Sequence, residues 1–232
     1  MPESLHALAS AAAIVATLAV YLATERLYRR TGWFILNPVL VSVAVIILAL
    51  LALRIDYASY ERGGRILAWL LGPAVVALGV PLAERWDEIV RHGRAIFGSI
   101  LAGSVTGVVS AAGVARLLGA TPEVVRSLAP RSVTTPIAMG ISAKVGGIPS
   151  LTAALVIATG VLGAVAGPAL LRRLGVRSRT AVGLALGAAA HGIGTARAVE
   201  EGDVEGATAG LAIGLMGVAT AVLAPIILLL LF

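Results

Sequence analysis

Long apolar segments, separated by short charged ones, dominate the chain, and this pattern is typical of helices that cross a membrane. About 20 predominantly apolar residues are enough for an α-helix to cross the hydrocarbon core of a bilayer. We expect full transmembrane helices at residues 5–24, 33–53, 66–83, 95–115, 145–171, 180–196 and 206–232. The pattern therefore predicts an all-α polytopic membrane protein with about seven transmembrane helices.

One further apolar segment, residues 132–143, is too short to cross a bilayer, because Lys144 and two glycines interrupt it. Thr135 followed by Pro136 predicts its helix start, with the threonine capping free N–H groups and the proline at the first helical position. A helix that begins inside the hydrocarbon layer must turn its unpaired N–H groups toward protein, water or an anion. We expect this segment to be re-entrant or broken, although the basic residues of the loops leave a crossing orientation open.

The composition supports an integral membrane protein. The chain has 232 residues, of which 59% are hydrophobic and 13% charged, and its mean hydropathy is +0.98. The 27 glycines indicate closely packed helices, and the absence of cysteine excludes disulfides and cysteine nucleophiles. Because the basic residues behind the net charge of +6 are spread over the loops, we expect contact with membrane lipid and not with nucleic acid.

Similarities between two parts of the chain predict an internal duplication. The matching positions are Asn37-Pro38 with Thr135-Pro136, and Leu71-Gly72 and Gly79 with Leu186-Gly187 and Gly194. We therefore divide the chain into an N-terminal transmembrane helix (residues 1–32), a first repeat (33–119) and a second repeat (120–232) with the main site motifs. Two repeats of opposite orientation, as in many secondary transporters, would follow if the short segment does not cross.

Two groups of polar residues within these apolar segments are candidates for substrate binding. The first comprises Ser132, Thr134, Thr135 and Pro136, with Asn37 as a partner from the first repeat. Because hydroxyls often bond back to their own helix in membranes, a purely structural role remains open for the first group. We expect the neighbouring Arg131 to anchor the chain at the membrane interface.

The second group is His191, Gly192, Gly194, Thr195 and Arg197. The glycines loosen the helix, so that backbone groups line a cavity beside a titratable ring, a hydroxyl and a guanidinium. An arginine, hydroxyls and a helix N-terminus suit a small carboxylate with a hydroxyl or keto group. Arg197 has an alternative role at the membrane edge, beside the acidic segment that follows it.

No pattern in the chain indicates an enzyme. No histidine–carboxylate cluster has the spacing of metal ligands, and no glycine-rich loop ends in Lys-Ser or Lys-Thr. We therefore expect no catalytic residue, no metal and no cofactor.

Several long motifs resemble the LrgB/CidB family from about residue 33 to the C-terminus. They are NPVL (37–40), LLGPAVVALGVPL (70–82), PRSVTTPIAM (130–139), GGIPSLTA (146–153), GVLGAVAGP (160–168) and GLALGAAAHGIGTARA (183–198). The resemblance implies a holin/antiholin-like role in murein hydrolase export and lysis, beside a small membrane partner of the LrgA/CidA type. It also implies movement of small monocarboxylates, because related plastid proteins exchange glycolate and glycerate and bacterial relatives are tied to pyruvate, lactate or acetate.

Two functions are therefore open, and the polar groups at two helix breaks favour transport over regulation. We expect an elevator-like secondary transporter of small monocarboxylates, of the glycolate/glycerate, pyruvate or lactate type. Its mobile bundle would move against a static scaffold in a homodimer, in the cytoplasmic membrane of a bacterium or archaeon. The alternative is an antiholin-like regulator of murein hydrolases.

Overall fold

A computed structural model describes residues 3–33, 36–70, 73 and 93–231, which form α-helices and no strand. In chain order the helices are α1 (Glu3–Thr31), α2 (Pro38–Ala52), α3 (Tyr57–Trp69), α4 (Gly93–Leu117), α5 (Pro122–Leu128), α6 (Thr135–Val145), α7 (Pro149–Arg173), α8 (Arg179–Glu201) and α9 (Asp203–Leu231). They belong to two compact units, Met1–Ala74 and Val75–Phe232. Most of the predicted helix at 66–83, with Leu71, Gly72 and Gly79 of the proposed duplication, lies outside the described residues.

In the first unit, α2 begins at Pro38. Asn37 is its N-cap, and the Asn37 Oδ1 atom accepts hydrogen bonds from the N–H groups of Val39 (3.0 Å) and Leu40 (3.3 Å). The predicted helix at 33–53 is therefore wrong at its start, because the cap and Pro38 begin the helix there instead of lying inside it. A buried contact of 2.7 Å between the hydroxyls of Thr24 and Ser42 joins α1 to α2.

The second unit is built on α4, α7 and α9. The Ser104 and Thr220 hydroxyls of α4 and α9 are 3.0 Å apart, and both side chains are almost completely buried. Around them lies an apolar core that includes Val108, Leu211 and Met216. These long helices form the frame against which two shorter folded-back elements pack.

The first folded-back element comprises residues 128–147, from the end of α5 through α6. Its two ends meet, since the Ile148 N–H donates a 2.7 Å hydrogen bond to the Ser127 Oγ atom. Thr152 of α7 adds a buried 2.8 Å contact to the Ser142 hydroxyl of α6. Gly146 terminates α6 in the left-handed conformation (φ 78°), which glycine adopts without steric cost. The segment therefore leaves and returns at the end of the unit where α7 begins.

The start of α6 differs by one residue from the prediction. Thr134, and not Thr135, holds the N-cap position, and its side chain makes no capping hydrogen bond. Thr135 is the first helical residue, followed by Pro136 in the first turn. Pro136 is therefore the second helical residue and not the first, as predicted, and both the cap and the helix start lie one residue earlier than expected.

The second folded-back element is α8, which reverses direction at His191 (φ 43°, ψ −133°). Its 23 residues would span about 34 Å as a straight helix. Instead, Gly202 just after its end lies against Arg179 at its start, where a Cβ on Gly202 would be 3.1 Å from the Arg179 Nη2 atom. The predicted full span at 180–196 is thus not one straight helix. The break that the sequence predicted at its glycines lies at His191, and α8 is a hairpin with a first arm (179–190) and a second arm (192–201).

The first arm of α8 lies close to both α7 and α9 because glycines remove side chains from the contacts. A Cβ on Gly163 of α7 would be 2.5 Å from the Ala190 Cβ atom, and one on Gly187 would meet the Ala209 backbone of α9. The contacts of Gly163 with Ala190 and of Gly167 with Leu186 run in opposite chain directions, so this arm is antiparallel to α7.

Among the described residues, four helices are long and apolar enough to cross a membrane: Ser10–Thr31 within α1, and α4, α7 and α9 in full length. The sequence predicted seven full spans, and three of these are not among the four helices. Residues 66–83 are mostly outside the described part, α2 has 15 residues, and α8 is folded back.

Candidate functional site

The second unit contains a cavity of about 890 Å³ between α4, α7, the first arm of α8 and the loop that precedes α6. Its walls are mostly apolar and include Ile96, Ile100, Leu162 and Leu184. Polar groups enter it at six positions, which are Ser99, Arg131, Ser132, Thr159, Ser178 and Thr180. Arg131 is the one charged side chain in the described lining, and no carboxylate is part of it.

Ser132 lies about halfway along α4. A Cβ on Gly107 would be 3.2 Å from the Ser132 Oγ atom, and Gly107 is close to the centre of the helix Gly93–Leu117. Because α4 is long and apolar enough to span a bilayer, the tip of the first folded-back element reaches a depth where charged groups are costly. Arg131 is adjacent to Ser132 in this tip and is partly buried there.

The loop between α5 and α6 runs along α4 and brings the Arg131 side chain into the cavity wall. Its expected role at the membrane interface stays a prediction. Within the described part of the chain, the guanidinium of Arg131 has no hydrogen bond and no ion pair.

His191 occupies the tip of the hairpin and is 5% exposed. Its Nε2 atom lies 3.0 Å from the Val156 carbonyl oxygen of α7, and because a carbonyl can only accept, Nε2 carries the hydrogen. A Cβ on Gly160 would be 2.6 Å from the His191 ring, so the glycine makes room for it. The ring attaches the hairpin tip to α7 and does not line the cavity.

The glycines near the tip do not make the break that the sequence predicted for them. The reversal is at His191 itself, whereas Gly194 lets the second arm approach the Leu186 carbonyl and the Ala190 side chain of the first. Gly192 is exposed and would leave a Cβ in open space.

Thr134 and Thr195 share an unusual feature. Each has a buried Oγ1 atom without a hydrogen-bond partner among the described residues. Thr134 stands at the N-cap position of α6 and Thr195 on the second arm of α8. Each folded-back element therefore carries one unpaired buried hydroxyl close to its tip.

Arg197 and Asn37 are not among the described residues that line the cavity. The Arg197 guanidinium contacts the carboxylates of Glu200 (2.6 Å) and Glu201 (2.7 Å), which is the alternative role that the sequence left open for it. Asn37 belongs to the first unit, where it caps α2. Of the predicted site residues, the structure brings Ser132 into the cavity wall, next to Arg131 and opposite the first arm of α8.

Ser178 and Thr180 are cavity residues that the sequence did not suggest. Ser178 caps α8, with its Oγ atom accepting a hydrogen bond from the Ala181 N–H (3.4 Å). A serine before an apolar periodic run is a recognisable cap signal, so the helix start was readable. That this start would face the cavity depends on the reversal at His191, which no local pattern shows.

The described residues contain no group of three or more His, Cys, Asp or Glu side chains that could hold a metal ion. What the cavity offers is one guanidinium, several hydroxyls and apolar walls. This chemistry suits a small organic anion with an apolar part.

The fold and this cavity define a helical integral membrane protein with a mostly apolar cavity, to whose lining both folded-back elements contribute. The chain belongs to the LrgB-like family, whose model matches residues 17–230. It is 40% identical over 191 residues to the uncharacterized protein YxaC of Bacillus subtilis (strain 168), covering 82% of this chain and 83% of that protein. The antiholin-like protein LrgB of Bacillus mycoides (strain KBAB4) is 34% identical over 213 residues, covering 91% of this chain and 93% of that protein. No solved structure matches the chain.

Proposed function

We propose that this LrgB-family protein moves small monocarboxylates across the membrane, of the glycolate/glycerate, pyruvate or lactate type. The observation that carries the proposal is the cavity next to two elements that fold back from opposite ends of α7. One returns beside Ser127, near the start of α7, and the other returns beside Arg179, just after its end. A continuous helix has no interior ends, whereas folded-back helices place free backbone groups inside the membrane, as substrate sites of secondary transporters do.

Both folded-back elements lie within the predicted second repeat (120–232), so the inversion of the two repeats stays part of the proposal, as does an elevator-like or rocking movement with alternating access. The contacts between α7, α8 and α9 are made at glycines, and in this proposal the movement takes place as a small sliding of these closely packed helices. In this proposal the protein is a homodimer in the cytoplasmic membrane of a bacterium or archaeon.

A second function is an antiholin-like regulator of murein hydrolase export and lysis, in contact with a small LrgA-type membrane protein. The names of the relatives favour this function over transport, since the Bacillus mycoides relative is called antiholin-like protein LrgB. The exposed apolar residues of α9, among them Val218, Val222 and Leu229, offer a surface for lipid or for such a partner.

Uptake into proteoliposomes separates the two functions. Purified protein is reconstituted with an internal uncharged dye, and entry of labelled lactate and glycolate is followed together with loss of the dye. Transport predicts saturable uptake of the acids with the dye retained, whereas a pore predicts parallel leakage of both. Neither flux, combined with restored control of lysis in cells that lack a relative, would support the regulator and contradict transport.

A further inference from the structure

We infer that Arg131, with the hydroxyls of Ser132 and Thr180, is the anion-binding group of the cavity, and that the site accepts a single negative charge. This inference rests on the proposed function. The sequence suggested Arg197 for this role, but the guanidinium of Arg197 is already held by two carboxylates. Arg131, in contrast, lines the cavity and has no ionic partner in the described residues.

A buried or partly buried guanidinium without a counter-ion is unfavourable in a low-dielectric environment, because it has lost its hydration without gaining a partner. Arg131 lies next to Ser132, about halfway along a helix that can span a bilayer, and its surroundings are mostly apolar. A bound carboxylate would neutralise it and accept two parallel hydrogen bonds from its planar fork.

The hydroxyls that can donate to a bound carboxylate are those whose hydrogens are not already used within the protein. Ser99 and Thr159 donate to backbone carbonyls of their own helices, at 2.8 Å each, so their hydrogens are already used. Ser132 and Thr180 make no side-chain hydrogen bond with any described residue, which leaves their O–H groups free for a ligand. Ser178 uses only an oxygen lone pair, for the Ala181 N–H, and keeps its hydrogen as well.

The charge count sets the substrate class. One guanidinium balances one carboxylate, and the described lining contains no second cation. A dicarboxylate would place its second charge against walls such as Ile100 and Leu184, where nothing compensates for the lost hydration. A monocarboxylate with one hydroxyl or keto oxygen matches the free donors.

The experiment measures binding and transport on the same variants of the full-length protein. Thermal stabilisation in detergent is titrated with lactate, malate and glycerol, in a buffer free of organic acids, and lactate uptake is measured in proteoliposomes. The variants are Arg131→Gln, Arg131→Lys and Ser132→Ala, and the control is Arg173→Gln, which changes an exposed arginine at the end of α7.

We expect wild type and Arg173→Gln to bind lactate at least tenfold more tightly than malate or glycerol. Arg131→Gln should weaken lactate binding by about tenfold or more, as for loss of a charge-assisted pair. The affinity of Arg131→Lys for lactate should lie between those of wild type and Arg131→Gln. Ser132→Ala should weaken lactate binding by a smaller factor than Arg131→Gln. Ser132→Ala removes one hydroxyl and no charge, so we expect this variant to fold. It therefore tests the site even if Arg131→Gln does not fold.

The outcomes separate this inference from the proposed function. Lactate bound through Arg131 but not transported would support the site and contradict transport. Lactate transported equally by wild type and Arg131→Gln would support transport and overturn the site. Malate bound as tightly as lactate would overturn the single-charge rule, and no binding of any acid by wild type would overturn both proposals.

Discussion

The Arg179 Nε atom lies 3.1 Å from the Glu205 Oε1 atom, across the base of the α8 hairpin. Arg179 begins α8, and Glu205 is in the first turn of α9, after the chain has passed along both arms and back. The Glu205 side chain is 9% exposed whereas that of Arg179 is 66% exposed, so the arginine reaches in from the surface to a buried carboxylate. The contact therefore closes the hairpin at its base, as His191 attaches it at its tip.

Removal of Arg179 should destabilise the protein, and neutralising the carboxylate of Glu205 in the same variant should recover part of the lost stability. Arg179→Ala leaves the Glu205 carboxylate buried without its cation, and we expect a loss of about 1–3 kcal/mol in unfolding free energy. Glu205→Gln, added to Arg179→Ala, should recover part of this loss because a neutral amide is cheaper to bury. The unfolding free energies of the single and the double variant are measured in detergent. Equal stabilities of wild type and Arg179→Ala would contradict a stabilising contact between Arg179 and Glu205 at the base of the hairpin.

Glycine should be better than alanine at position 191. The φ of 43° with ψ of −133° is a conformation that glycine adopts freely and that costs other residues about 1–3 kcal/mol. Both His191→Gly and His191→Ala lose the hydrogen bond to Val156, so their difference reports the backbone alone. In a continuous helix the order is reversed, with alanine more stable by about 1 kcal/mol.

The measurement is the difference in unfolding free energy between the two variants, with wild type as reference. We expect the glycine variant to be more stable by about 1 kcal/mol or more. An alanine variant that is the more stable of the two would show that residue 191 has ordinary helical geometry.

Gly187 and Gly113 form a matched pair for testing close helix contacts. Gly187 meets the Ala209 backbone, so Gly187→Ala forces α8 and α9 apart and should cost about 1–3 kcal/mol. A Cβ on Gly113 of α4 would have open space around it, and Gly113→Ala should be neutral or stabilising by up to about 1 kcal/mol. Thermal unfolding of the two variants checks the contrast, and similar effects at both positions would disagree with the packing of α8 on α9.

Helix starts with a strong local signal were largely predictable. Asn37 and Pro38 begin α2 as their residue types require, and the Thr-Pro pair at 135–136 begins α6 within one residue of its predicted cap. The error at α6 arose because Thr134 and Thr135 are chemically equivalent candidates, and the tertiary path of the loop decides between them.

The reversal at His191 and the position of Arg131 could not be read from local sequence. Apolar periodicity does not distinguish one straight helix from two antiparallel arms, and of the nearby glycines Gly194 serves a close contact between the arms whereas Gly192 is exposed. Arg131 resembles an interfacial arginine in the sequence because its neighbours are two prolines and hydroxyls. Its place in the cavity follows from the inward path of residues 128–147 along α4, which is a property of the packed unit.

The most direct test of the account is one distance across α8. The chain has no cysteine, so spin labels can be placed at Arg177→Cys and Glu200→Cys without a background of native thiols. Adjacent helices pack about 10 Å apart, and the label side chains add to this separation. The hairpin therefore predicts a distance of about 20 Å or less between the labels, measured by pulsed electron paramagnetic resonance. A continuous helix would separate these positions by about 35 Å, and that result would remove the folded-back element on which the site depends.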